Sequence, residues 1–87
     1  MKALSYAIME YFTTVEEACV NDVINVLKDA GYSSHKQLKP KSVHETLKTA
    51  VSNGLFVESR YDLDEAENLR IFYKITDYGK NMVTNFL

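Results

Sequence analysis

The stretch Leu38-Lys39-Pro40-Lys41-Ser42-Val43-His44-Glu45-Thr46-Leu47-Lys48-Thr49-Ala50-Val51-Ser52-Asn53-Gly54-Leu55-Phe56-Val57 decides the architecture, together with Tyr73-Lys74-Ile75-Thr76-Asp77-Tyr78-Gly79 beyond it. Pro40 suits the first position of a helix, where a missing N–H costs nothing. Val43, Leu47, Ala50 and Val51 recur at helical spacing and predict one apolar stripe. Asn53-Gly54 stops that helix, and Leu55 and Phe56 turn back toward a core. Val57 to Leu63 and Leu69 to Ile75 alternate imperfectly and are rich in aromatics, which predicts two antiparallel strands. Asp64 to Asn68 is too long an interval for a two-residue turn and reads as the loop between them. Thr76 is placed to cap a last helix, with Asp77 in its first turn and Tyr78, Met82, Val83, Phe86 and Leu87 as its apolar residues.

Upstream, Leu4, Ala7, Ile8, Tyr11 and Phe12 fall three and four apart, so Met1 to about Phe12 reads as an amphipathic helix. Thr14-Val15-Glu16-Glu17 has capping-box spacing, either for a second helix or for a restart of the first. Asn21 is expected to cap a helix on which Val23, Ile24, Leu27 and Ala30 share a face and which ends at Gly31 in the left-handed conformation. Val15 to Ala30 is either one helix or a short strand followed by a helix, and the second is preferred. Tyr32 to Lys39 reads as a polar connector, longer than the turn of a tight helix-turn-helix.

The chain of 87 residues is expected to form one domain spanning 1–87. No stretch approaches the ~20 apolar residues that cross a bilayer, and the opening residues do not read as a secretory signal. A lone cysteine, Cys19, makes no internal disulfide and fits a reducing, cytoplasmic setting. The net charge is −2, but it is segregated. Between Gly31 and Gly54, Lys36, Lys39, Lys41 and Lys48 face a single acid, Glu45; between Asp62 and Glu67 every charge is negative. A local basic face is therefore compatible with an acidic total.

The Pro40 helix, the Gly54-Leu55-Phe56-Val57 exit and the Tyr73-Lys74-Ile75-Thr76-Asp77-Tyr78-Gly79 return resemble winged-helix transcriptional regulators, most closely the PadR-like and MarR-like groups. The resemblance covers roughly residues 3–83. It implies an α+β winged helix-turn-helix: a three-helix core, a two-stranded β-hairpin wing and a C-terminal helix. It also implies a sequence-specific regulator of transcription that places a recognition helix, about residues 40–53, in the major groove of duplex DNA. Two departures stand out. Wings that touch DNA usually carry Arg or Lys at the tip, whereas this tip is acidic. The PadR group also has a long C-terminal dimerisation region with no counterpart in residues 80–87.

On a helical wheel the side of that helix opposite its apolar stripe carries Lys41, Glu45, Lys48, Thr49 and Ser52, with Ser42 and His44 on the flanks. Lysines suit phosphates and guanine edges, and Ser, Thr and Glu suit base edges. Lys36 and Lys39 on the connector, and Arg60 and Arg70 on the strands, complete the expected DNA-contacting set. The competing reading of the same stripe is an ordinary solvated face. It gives a different function: a winged-helix protein–protein interaction module with no DNA affinity, favoured by the acidic wing and net charge. An architectural or replication-linked DNA binder is a third possibility.

Both terminal helices are apolar, which predicts a homodimer through Leu4, Ile8, Met82, Val83, Phe86 and Leu87. The ten aromatics fall mostly at core spacings and are read as packing rather than as a base-stacking platform. Cys19, His35 and His44 match no zinc spacing, so no metal and no cofactor is expected. The sequence has no phosphate-binding glycine loop, no nucleophile elbow and no H-E-x-x-H, so neither an enzyme nor a small-molecule ligand is expected.

Overall fold

A computed structural model describes residues 2–85. Helix α1 (Leu4–Phe12) buries Leu4, Ala7, Ile8 and Phe12, the stripe expected from the spacing. It ends where the Thr13 and Thr14 hydroxyls donate to the carbonyls of Glu10 and Tyr11, at 2.6 and 2.7 Å. Thr14 therefore closes a helix, and no helix begins at the capping-box spacing that follows it. Residues 15–30 are not one helix, but the preferred short strand is reduced to a single bridging residue ahead of a helix that begins at Val20. Ala18 bridges Tyr73 through a reciprocal pair of backbone hydrogen bonds of 3.1 and 2.9 Å.

Helix α2 (Val20–Leu27) begins after Cys19, not at Asn21. The stabilising bond runs backward: the Cys19 N–H donates to the Asp22 carboxylate at 3.1 Å, the reciprocal half of a capping box. Cys19 is buried, and burial pushes its thiol pKa up, which keeps it protonated and unreactive. A wider helical turn, Lys28–Tyr32, continues α2, and Gly31 takes the expected left-handed conformation at φ 103°. The connector is less polar in place than in sequence. Tyr32 and Leu38 are buried, and the Tyr32 hydroxyl donates to the Lys2 carbonyl at 2.7 Å. These two anchors hold an otherwise exposed segment against the body.

Helix α3 (Pro40–Ser52) buries Val43, Leu47 and Ala50. Strands β1 (Phe56–Leu63) and β2 (Leu69–Ile75) then form an antiparallel hairpin, with a bulge between Glu58 and Arg60. Asp64 closes the loop by accepting from the N–H groups of Ala66 and Asn68, both at 2.9 Å. Thr76 joins three elements. Its hydroxyl donates to the carbonyls of Gly54 and Leu55, at 2.7 and 3.0 Å, and accepts from the Gly79 N–H at 3.0 Å, capping helix α4 (Asp77–Asn85).

The core is one cluster that draws on α1, α2, α3, the connector and the base of the hairpin. Phe12 and Phe56 stack at its centre with ring centroids 4.6 Å apart. Tyr78 does not join it and is 56% exposed, because α4 presents Gly79 and Val83 inward. A Cβ on Gly79 would stand 2.4 Å from the Leu55 carbonyl oxygen, so this close approach of α4 to the hairpin base requires glycine.

Candidate nucleic-acid interface

Leu47 and Val43 are sealed in the core and fix the rotation of α3 about its axis. That rotation carries Lys41, Glu45, Lys48, Thr49 and Ser52 outward, all exposed, with Ser42 and His44 half-buried at the margins. Lys41 and Lys48 are two turns apart on one side of the helix, about 10 Å by helical rise. Neither lysine has an ion-pair partner among the described residues, and neither do Lys36 and Lys39, which are exposed on the connector. Pro40 occupies the first turn, and no side chain caps it. Ser52 donates to the Lys48 carbonyl at 3.2 Å, so its hydroxyl is already engaged.

Arg60 and Arg70 are placed differently. Arg60 donates to Glu17 at 2.7 Å and to Asp62 at 3.2 Å. Arg70 grips Asp62 through two bonds of 2.7 Å. Both guanidiniums lie over the Phe72 ring, at 3.9 and 5.3 Å from its centroid, so Phe72 is buried on a face that would otherwise be wet. Hydrogen bonds from Arg70 and Arg60 hold the Asp62 carboxyl below the ordinary carboxylate range, and the bond from Arg60 does the same for Glu17. The two arginines expected to touch DNA are thus committed to a lattice on the outer face of the wing.

Sequence reasoning missed Glu17 as the anchor of that lattice. It is 43 residues from Arg60, and no local pattern links them. It also missed that the opposite, inner face of the wing stays apolar beyond the body. There Tyr61 pairs with Ile71 and Leu63 with Leu69. This face borders a cleft of about 360 Å³ lined by Cys19, Val20 and Asn21, by Pro40 and His44 of α3, and by Leu69, Arg70, Ile71 and Tyr73 of the wing. Of the residues expected at a dimer interface, Leu4, Ile8 and Val83 lie in the chain's own core and Met82 is half-buried. Phe86 and Leu87 fall outside the described residues.

No protein-family model matches the sequence, and no curated protein sequence does. Solved structures do match. Bacillus subtilis PadR, crystallised in complex with operator DNA, superposes with a TM-score of 0.78 at 21% identity, over 99% of this chain and 47% of that one. A Thermoplasma acidophilum protein assigned as a transcriptional regulator gives 0.71 at 18% identity, over 94% of this chain and 74% of that one. A PadR family transcriptional regulator from Eggerthella lenta gives 0.70 at 17% identity, over 92% and 67%. The chain thus spans about half the length of the B. subtilis protein. Likeness at this level of identity is likeness of fold, and with the element order α1-α2-α3-β1-β2-α4 and the bridge at Ala18 it shows that the chain is an α+β winged helix.

Proposed function

We propose that the protein is a sequence-specific duplex-DNA-binding regulator of transcription that reads the major groove with the outer face of α3. The observation that carries this reading is the unpaired, exposed state of Lys41 and Lys48 on a helix whose opposite face is locked in the core. Lys36 and Lys39 lie on the same approach and suit phosphates, while Glu45, Thr49 and the flanking Ser42 and His44 suit base edges. The similar fold of a PadR solved with operator DNA supports it. Among the described residues no helix is long and apolar enough to cross a membrane, and the proposed setting is the cytoplasm. The expected homodimer also stands as a proposal; Leu4, Ile8 and Val83 of its expected interface are already buried within the chain.

Fluorescence anisotropy against a mixed-sequence duplex, repeated across salt concentrations, tests the reading. Binding should be measurable at low salt and weaken steeply as salt rises, because each neutralised phosphate adds nearly one to the slope of log K against log salt. Flat anisotropy at about 50 mM salt with excess protein would leave the protein-interaction reading in its place. That second reading has an observation of its own: the wing offers an acidic tip and committed arginines where a DNA-touching wing offers free cations.

A further inference from the structure

Among the described residues six large apolar side chains are prominently exposed, and they are not scattered evenly. Val26, Val57 and Tyr78 belong to α2, the outer face of the wing and α4 respectively. Tyr61, Leu63 and Leu69 form one block, 58%, 61% and 64% exposed, on the inner face of the wing. The hydrogen-bonding register places Leu63 opposite Leu69 and Tyr61 opposite Ile71, so the block is continuous with the half-buried Ile71 and with the cleft beside α3. Contiguous exposed apolar surface of this kind marks a contact site, unlike single exposed side chains.

Charge says what covers it. Asp64, Glu65 and Glu67 at the wing tip have no cationic partner among the described residues, because the nearby arginines are committed to Asp62 and Glu17. At the other end of the same cleft, Lys39 and Lys41 flank Pro40 and have no acidic partner. The strip therefore runs from positive beside α3, past an Arg70 already paired with Asp62 and a Tyr61 hydroxyl that donates to Glu58 at 2.7 Å, through apolar side chains to negative at the tip. A strip with that order is complementary to itself reversed, which is the arrangement a two-fold axis imposes. The arginine lattice on the outer face stiffens the hairpin that presents it.

We propose that the inner face of the wing is a self-association surface, on which a second copy of this chain docks about a two-fold axis. Tyr61, Leu63 and Leu69 meet their counterparts, and each acidic tip reaches the lysines beside Pro40 of the other copy. The contact covers the Lys41 end of α3. If that end reads DNA, self-association and DNA binding compete.

Sedimentation equilibrium without DNA tests the surface, so its failure is distinct from failure of the DNA reading. In low salt the wild-type mass should rise with concentration from one chain toward two, and salt should reverse the rise. Leu69→Asp should stay at one chain over the same range. Glu65→Lys with Glu67→Lys should need roughly tenfold more protein to associate, and adding Lys39→Glu with Lys41→Glu to the same chain should restore association. All five positions are exposed, and an unchanged thermal melt shows that each variant is folded. A wild type that stays at one chain at every concentration overturns the proposal. So does association that Leu69→Asp leaves unaltered, or a charge swap that fails to restore it.

Discussion

Helix α3 and the wing hold their cations in opposite ways. Lys41 and Lys48 stand in solvent on α3 with no carboxylate bound to them, although Glu45 lies within helical reach of both. Arg60 and Arg70 on the wing are each bound to acids of their own chain and pressed onto Phe72. A free cation exchanges bound counterions for a phosphate and gains from the exchange. A cation already in a bidentate pair must first give up that pair. Equal formal charge on two elements of one fold therefore does not mean equal availability, and a count of Lys and Arg along the sequence overstates what the wing can offer DNA.

The contrast depends first on α3 being held in one rotation. Leu47 is fully buried under it, and Leu47→Ala should cost about 2–5 kcal/mol, the largest effect expected here. Thermal or urea unfolding measures it. A melt that barely moves would mean that α3 is not anchored through this residue, and the two sets of cations would lose their fixed difference.

Next in size is the difference in DNA binding itself. Lys41→Ala and Lys48→Ala should each lower the salt slope by about one and leave the melt unchanged. Arg60→Ala and Arg70→Ala should do the reverse: little change in slope, with loss of wing order as Phe72 is uncovered. Salt slopes for the four variants, set beside the Phe72 ring signals in NMR spectra, decide it. Equal slopes for lysine and arginine variants would erase the distinction between the two elements.

The helix was far more legible in the sequence than the wing's chemistry. Pro40, the stripe through Leu47 and the stop at Gly54 are local signals with local causes, and α3 runs from Pro40 to Ser52 as they require. Thr76 was equally plain, because a cap acts within one turn. The start of α2 was not, because its capping bond runs from Cys19 back to Asp22 and side-chain preference at the cap position pointed to Asn21. The fate of Arg60 depends on Glu17, far away in the chain, and that of Leu63 and Leu69 depends on where the body stops covering the ribbon. Neither distance nor coverage leaves a mark in residue spacing.

Acid probes the wing more gently. Asp62 and Glu17 have depressed pKa values in the folded chain, so their contribution is present above the unfolded carboxylate range and is lost as pH falls through the folded values. Below about pH 4, tyrosine and phenylalanine signals of the wing should shift before those of the body. A simultaneous change in the signals of the body would show that the lattice is not confined to the wing.

The smallest effect is expected where the wing enters the body. Tyr73 is fully buried, and its hydroxyl meets no partner among the described residues, in contrast to the engaged arginines on the outer face of the hairpin. Burial, with the negative charge of Glu58 nearby, raises its pKa above the ordinary phenol value. A raised folded pKa favours the neutral form, so this contribution to stability is present below about pH 10 and is lost as pH climbs through the folded value. Tyr73→Phe removes both the stranded hydroxyl and the titration. At neutral pH it should change stability by less than about 1 kcal/mol or raise it slightly, because no hydrogen bond is lost. Above about pH 10 the variant should resist unfolding better than the wild type, and the two unfolding curves should separate as pH rises. A variant weakened at neutral pH would reveal that the Tyr73 hydroxyl does hold a partner, and the polar group at the root of the wing would then be paired as the arginines of its outer face are.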